Sequence, residues 1–159
     1  MLNRMLLDCV AKRQFGQAEM EKVIAFFGDD PPKCVFCGAM PVQRWDHLIP
    51  VMRGGDTVLG NMVPACAKCD DSKRDLPYEE WMRGGAPGSP TSRCVPDAET
   101  RLARVSGYVE HFRYAPKAVA ERLEPTELDE YERIRLALSK QRSDVEAFIE
   151  RYRDARKVN

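Results

Sequence analysis

Four of the six cysteines fall as two Cys-x-x-Cys pairs, Cys34 with Cys37 and Cys66 with Cys69. Thiolates two residues apart can grip one metal from a tight turn, and two such pairs complete the closed tetrahedral shell of a structural zinc. The 28 residues between the pairs are more than a plain zinc ribbon needs. They contain Asp46 and His47, side chains of the type that hold a harder cation than a tetrathiolate does. Two chemistries therefore share the segment 33–75. Cys9 and Cys94 have no neighbouring partner in the sequence and read as buried or incidental thiols.

The order of these residues resembles the HNH endonuclease family, in the variety whose nuclease motif is bracketed by a zinc-binding Cys-x-x-Cys on each side. The matching residues are Asp46-His47-Leu48-Ile49-Pro50, Gly54-Gly55, Asn61-Met62-Val63-Pro64-Ala65-Cys66 and Cys69-Asp70-Asp71-Ser72-Lys73. The chain departs from the family at Asp70, where a histidine or asparagine is usual. The resemblance implies a ββα-metal module: a strand over 44–49, a loop over 51–60 turning at Gly54-Gly55, a returning strand over 62–65 and a short helix over 67–73.

It also implies roles. Asp46 and Asp70 are the protein ligands of a catalytic divalent ion, and two carboxylates suit Mg²⁺ or Mn²⁺. His47 is the general base, since an imidazole with an unperturbed pKa of about 6.5 can be neutral and take a proton from water. Asn61 ties the loop together and keeps the histidine in line, and Lys73 is placed to contact phosphate. Successive strand residues point to opposite faces, so a local bend is expected to bring Asp46 and His47 into one cleft. Asp71 competes with Asp70, but neighbouring helical positions differ by about 100° and only one should face the site. Trp45 reads as a core residue rather than a base-stacking one.

The rest of the chain must position this module. Its 159 residues are 43% apolar, enough for a core. Lys+Arg and Asp+Glu are equal at 25 each, so overall charge gives no argument for a polyanionic partner. A DNA-binding reading rests on local clusters: residues 81–122 carry seven Lys/Arg against four Asp/Glu, with Arg101, Arg104, Arg113 and Lys117 as candidate nucleic-acid contacts. The start lacks the apolar run of a signal peptide and no segment reaches membrane-spanning length. A cytoplasmic protein is expected, where paired cysteines hold metal more often than they form disulfides.

Apolar residues recur at helical spacing from Leu6 to Phe27, with Gly16 separating two helices that pack on the zinc module. Gly28 to Pro32 ends the second helix. A short helix over 75–82 follows the module, then a Gly/Pro/Ser-rich linker over 84–93. Residues 97–114 read as a helix. Beyond Pro125, with Thr126 as cap, apolar stripes through Leu128, Tyr131, Ile134, Leu138, Val145, Phe148, Ile149 and Tyr152 predict a helical hairpin or one helix broken near Ser143. The predicted organisation is a nuclease core with N-terminal helices over 1–83, a linker over 84–93 and a helical region over 94–159.

The fold class expected is α+β: a small zinc-stapled ββα-metal core flanked by N-terminal and C-terminal helices. The function expected from the resemblance is metal-dependent hydrolysis of DNA phosphodiester bonds, as in restriction or phage nucleases, with structural Zn²⁺ and catalytic Mg²⁺ or Mn²⁺. A homodimer through the C-terminal stripe would supply a second active site for the second strand. The competing reading is a zinc-binding DNA or protein interaction module without catalysis, and plasmid cleavage with and without chelator separates the two.

Overall fold

The computed structural model describes residues 2–157, and they are of mixed helix and small-sheet architecture, consistent with α+β. The chain divides into two compact units, residues 11–117 and residues 1–10 with 118–159. The expected boundary at 84–93 is not where the division falls. Those residues are folded onto the first unit: Ser89 and Pro90 are buried, Ser89 Oγ donates to the Gly84 carbonyl at 2.7 Å and Thr91 Oγ1 to the Met82 carbonyl at 2.6 Å. Composition suggested a linker, but serine and threonine hydroxyls satisfy the backbone of the turns locally.

In the larger unit, the short strand β1 (Arg13–Gln14) precedes helix α2 (Gln17–Phe27). Gly16 caps α2, and Gly28, at φ 62°, ends it in the left-handed conformation glycine tolerates best. The antiparallel pair β2 (Arg44–His47) and β4 (Met62–Ala65) forms the centre, in the register Arg44↔Ala65, Trp45↔Pro64, Asp46↔Val63 and His47↔Met62. Between them lie a single 3-10 turn at Val51–Arg53 and strand β3 (Thr57–Val58), which pairs in parallel with β1. Helices α3 (Ala67–Lys73), α4 (Tyr78–Arg83) and α5 (Ala98–His111) follow. The returning strand and α3 occupy the expected residues, whereas β1 and β3 were not expected at all.

Val23 and Phe27 of α2, Leu48, Val63 and Ala65 of the strand region, Trp81 and Met82 of α4, and Leu102, Val105 and Tyr108 of α5 form one buried cluster with the cysteines. Tyr108 adds a polar tie: its hydroxyl donates to the Met62 carbonyl and accepts from the Gly60 amide, each at 2.9 Å. A buried phenol with both partners satisfied fixes α5 across the end of the β4 strand.

In the smaller unit, α1 (Leu2–Val10) and a 3-10 turn at Val119–Glu121 pack on α6 (Pro125–Lys157). The 33-residue α6 is unbroken, so neither a hairpin nor a break at Ser143 forms. No glycine or proline occurs after Pro125 to stop it. Thr126 lies within its first turn, and the Glu127 carboxylate accepts the Glu124 amide at 3.0 Å, closing the helix start in place of the expected threonine cap. No described helix is long and apolar enough to cross a membrane.

Candidate metal centres and active site

The first Cys-x-x-Cys lies in the turn before β2. The Cys34 amide donates to the Ala39 carbonyl at 3.0 Å, the Gly38 amide to the Cys34 carbonyl at 2.7 Å, and the Val35 amide docks the turn on the Pro64 carbonyl at 3.1 Å. The second pair lies where β4 enters α3, with Cys66 at the helix cap and Cys69 in the first turn. All four sulfur atoms lie within 4.8 Å of one another, and Cys37 Sγ and Cys66 Sγ are 3.7 Å apart. A tetrahedron with Zn–S bonds of about 2.3 Å has edges of about 3.8 Å, so the cluster fits a zinc ion.

Its electrostatics agree with that fit. Hydrogen bonds from the Cys34 and Cys69 thiols and the Ala39 amide hold the Cys37 thiol far below the ordinary thiol range. Cys34 is pushed up to about 12, first by its hydrogen bond to Cys37, and Cys69 is pushed up by Cys34 and Cys37. Sulfurs this crowded oppose one another's ionisation, a demand that a divalent cation removes. Arg93, from the segment expected to be a linker, donates from Nη1 to Cys69 Sγ at 3.3 Å and offsets part of the tetrathiolate's charge.

Asp46 lies inside the ββα unit, 6% exposed. Its Oδ1 accepts from Lys73 Nζ at 3.2 Å, and its Oδ2 is buried beside Asp70 with no hydrogen-bond donor among the described residues. Lys73 is wholly buried, so it does not lie at the surface for phosphate as expected; its position in the last turn of α3 points it inward at Asp46. Arg44, two residues before Asp46 on the same face of β2, pairs with Asp70 Oδ2 at 2.6 Å and also with Asp71. The Asp70 side chain is 27% exposed and that of Asp71 65%, which leaves Asp70 as the inner carboxylate.

Burial pushes the Asp46 carboxyl up to about 6; Lys73 opposes the shift and the neighbouring Asp70 carboxylate adds to it. Because the folded-state value is raised, this group favours the fold most below the unfolded value of about 4 and that contribution fades as pH rises through 6. A divalent cation bound at Asp46 would reverse the preference by competing with the proton. Binding of Mn²⁺, followed by calorimetry at a series of pH values, is expected to weaken as pH falls through about 6, approaching tenfold per unit below it. An affinity flat from pH 7 to pH 5 would remove Asp46 from the cation site.

The expected bend in β2 does not form. The ladder continues through both residues, Asp46 opposite Val63 and His47 opposite Met62, so their side chains leave opposite faces of the strand. Asp46 meets α3, while His47 Nε2 lies 2.9 Å from Thr57 Oγ1 of β3. Trp45, on the His47 face, packs edge-on against Phe15 with ring centroids 5.1 Å apart.

Asn61 is fully buried. Its Oδ1 accepts the Ile49 amide at 2.8 Å, and its Nδ2 donates to the carbonyls of Ile49 at 3.0 Å and Asp56 at 2.6 Å. The side chain acts as a piece of strand that fastens both ends of the loop after His47. The paired glycines belong to the same fastening: Gly54 has φ 83°, and a Cβ on Gly55 would overlap the Ile49 carbonyl that Asn61 binds.

The basic residues expected at DNA divide. Arg101 is half-buried with its guanidinium against Gly38 and its Nε buried without a partner. Arg104 bonds the Phe27 carbonyl, lies 3.7 Å from Asp29 and covers the Phe27 ring at 5.2 Å. Arg101 is thus half-buried, whereas Arg104 remains exposed while making these contacts. Arg113 and Lys117 are exposed, and the Lys117 carbonyl lies beside Gly54. Sequence reasoning missed Thr57, Arg93 and Arg44, and no local motif signalled them.

Residues 34–76, 43 of the 159, match the family model described as HNH endonuclease. Comparison with curated proteins and with solved structures returned no match. The chain therefore carries an HNH endonuclease domain over that segment, with a four-cysteine cluster that could hold zinc. HNH domains are generally nucleases, and the match suggests a nuclease-type function for that segment.

Proposed function

We propose that this chain is a metal-dependent endonuclease that hydrolyses phosphodiester bonds in DNA, with zinc as a structural ion and Mg²⁺ or Mn²⁺ as the catalytic one. The observation that carries the reading is the orphaned Oδ2 of Asp46, buried beside Asp70 and one residue before His47. Asp46 Oδ2 and Asp70 would hold the ion; when bound, it supplies positive charge to the phosphate oxygens and the departing 3′ oxygen. Lys73 on Oδ1 fixes the Asp46 carboxylate, and Arg44 fixes that of Asp70.

His47 removes the proton from the attacking water. Thr57 Oγ1, 2.9 Å from Nε2, holds the ring orientation. Asp46 and His47 are adjacent on β2, with Cα atoms about 3.8 Å apart, so the ion's ligand and the base would both serve one phosphate at the end of that strand. Incubating the purified chain with supercoiled plasmid and Mg²⁺ or Mn²⁺ should give chelator-sensitive cleavage. DNA binding without cleavage under those conditions would leave a zinc-binding module and remove the enzyme.

The reading includes a homodimer formed through α6. Tyr131, Leu138, Val145 and Tyr152 occupy one heptad position and Ile134, Gln141, Phe148 and Ala155 the other, the pattern of a coiled-coil seam. The first half is covered by its own chain, with Tyr131 buried. The second half is open, with Val145 at 57%, Phe148 at 59% and Tyr152 at 48% exposure. A second copy of the helix continues the seam, and two-fold pairing gives each DNA strand an active site. Val145→Glu with Phe148→Glu is expected to halve the mass seen by light scattering while leaving zinc content unchanged. A wild-type chain that is already monomeric at working concentration overturns the dimer.

A further inference from the structure

Asp56, the residue before Thr57, is buried and held from three directions. Its Oδ1 accepts the Lys12 amide at 2.6 Å, its carbonyl accepts from Asn61 Nδ2 at 2.6 Å, and its own amide donates to the Tyr114 hydroxyl at 3.0 Å. The first two tethers come from the residue before β1 and the residue before β4. The third comes from 58 residues downstream, beyond the end of α5, and no motif in the sequence signals it.

The chain turns sharply to bring Tyr114 there. Helix α5 ends in a Schellman motif, in which the Tyr114 amide donates to the Val109 carbonyl and the Arg113 amide to the Glu110 carbonyl, each at 3.0 Å. The reversing position is held by Arg113 at φ 50°, a left-handed conformation that glycine adopts without strain and arginine does not. Such strain persists where surrounding contacts hold it. Here they are close: a Cβ on Gly60 would lie 2.5 Å from Tyr114 Cβ and 3.2 Å from Phe112 Cβ, and one on Gly54 would lie 3.1 Å from the Lys117 carbonyl oxygen. Residues 112–117 therefore run in contact with both ends of the loop that carries Thr57.

Resting on the nuclease reading above, we infer that Tyr114 is a positioning residue for the general base. Its hydroxyl fixes the Asp56 amide, Asp56 is joined by one peptide bond to Thr57, and Thr57 Oγ1 lies 2.9 Å from His47 Nε2. Removing the phenol oxygen leaves the amide of a buried residue without that acceptor, and the loop moves to regain one. Thr57 moves with it. A base must stay within hydrogen-bond reach of the proton it takes, so the chemical step slows while duplex binding, which does not depend on the imidazole, is unchanged.

The experiment compares Tyr114→Phe, which keeps the ring against Gly60, with Thr57→Val and with the double variant, by single-turnover cleavage of a labelled duplex in Mg²⁺ and by fluorescence anisotropy for binding. Tyr114→Phe should cut about 2- to 10-fold more slowly at an unchanged Kd. Added to Thr57→Val it should cost nothing further, because both act through one hydroxyl. A merely structural role would lower the melting temperature and leave the rate of the folded chain at the wild-type value. That wild-type rate, or a loss that persists in full on the Thr57→Val background, overturns the assignment of Tyr114 alone. Imidazole NMR reads the same placement without cleavage. Of the two histidines, the ring signals of His47, identified by their absence in His47→Ala, should move in Tyr114→Phe toward their positions in Thr57→Val. A wild-type chain that does not cut overturns the nuclease reading, whereas His47 signals unmoved in Tyr114→Phe overturn the positioning role.

Discussion

Cys66→Ser is expected to unfold the larger unit rather than merely slow the enzyme. Cys66 and Cys69 lie at the β4–α3 junction against the Cys34–Cys37 turn, which the Val35 amide also docks on the Pro64 carbonyl. Three of the four sulfurs are buried members of the main hydrophobic cluster, so releasing the ion would leave crowded thiols inside the core. Zinc held by such sites contributes folding free energy on the order of 10 kcal/mol, comparable with the whole stability of a small domain. Cys66 also caps α3 and accepts both the Cys69 and Asp70 amides on its carbonyl, each at 3.1 Å, so its displacement disturbs the inner carboxylate as well. Elemental analysis should find about one zinc per wild-type chain, and the variant should lose both the metal and the cooperative melting transition. A zinc-free Cys66→Ser chain that melts as the wild type does would show the cluster to be dispensable.

The parts of this molecule legible in the sequence are those specified by local chemistry. Cysteine spacing gave the cluster, and strand β4 and helix α3 were readable because turn residues and ligands bracket them at fixed offsets. What was not legible depends on contacts distant in the chain. Strand β1 is two residues long, too short to show a period, and exists because residues 12–14 meet 56–58. Residues 84–93 have a linker's composition but close over the cysteines through hydroxyl–carbonyl bonds and the Arg93 guanidinium. Charge type was readable for Lys73 and Arg104, but direction was not: Lys73 is buried against the Asp46 carboxylate, and Arg104 reaches back to the Phe27 carbonyl and Asp29. The unbroken α6 shows the converse. A capping-box pattern at Ser143 has no effect where nothing interrupts the helical ladder.

His47→Ala is expected to abolish visible DNA cleavage while leaving zinc content, melting and duplex binding as in the wild type. Removing a general base costs about 10²–10⁴-fold in rate, and the structural cost is small for a definite reason. His47 contributes its backbone to the β2–β4 ladder, which alanine retains, while its half-exposed ring lies outside the main hydrophobic cluster and within hydrogen-bond reach of Thr57 Oγ1. That bond allows a graded comparison. Thr57→Val keeps the β3 backbone pairing and removes only the hydroxyl that orients the ring, a loss of about 0.5–1.5 kcal/mol, or roughly 2- to 13-fold in rate. The two variants should therefore be ordered, His47→Ala far below Thr57→Val and Thr57→Val modestly below wild type. Combining them should cost no more than His47→Ala alone, because the hydroxyl acts only through the ring. Single-turnover cleavage of a labelled duplex, with anisotropy confirming equal binding, reads all four chains. Wild-type activity in His47→Ala would end the assignment of the base, and a Thr57→Val loss that persists in full on the His47→Ala background would show that Thr57 acts on the substrate rather than on the histidine.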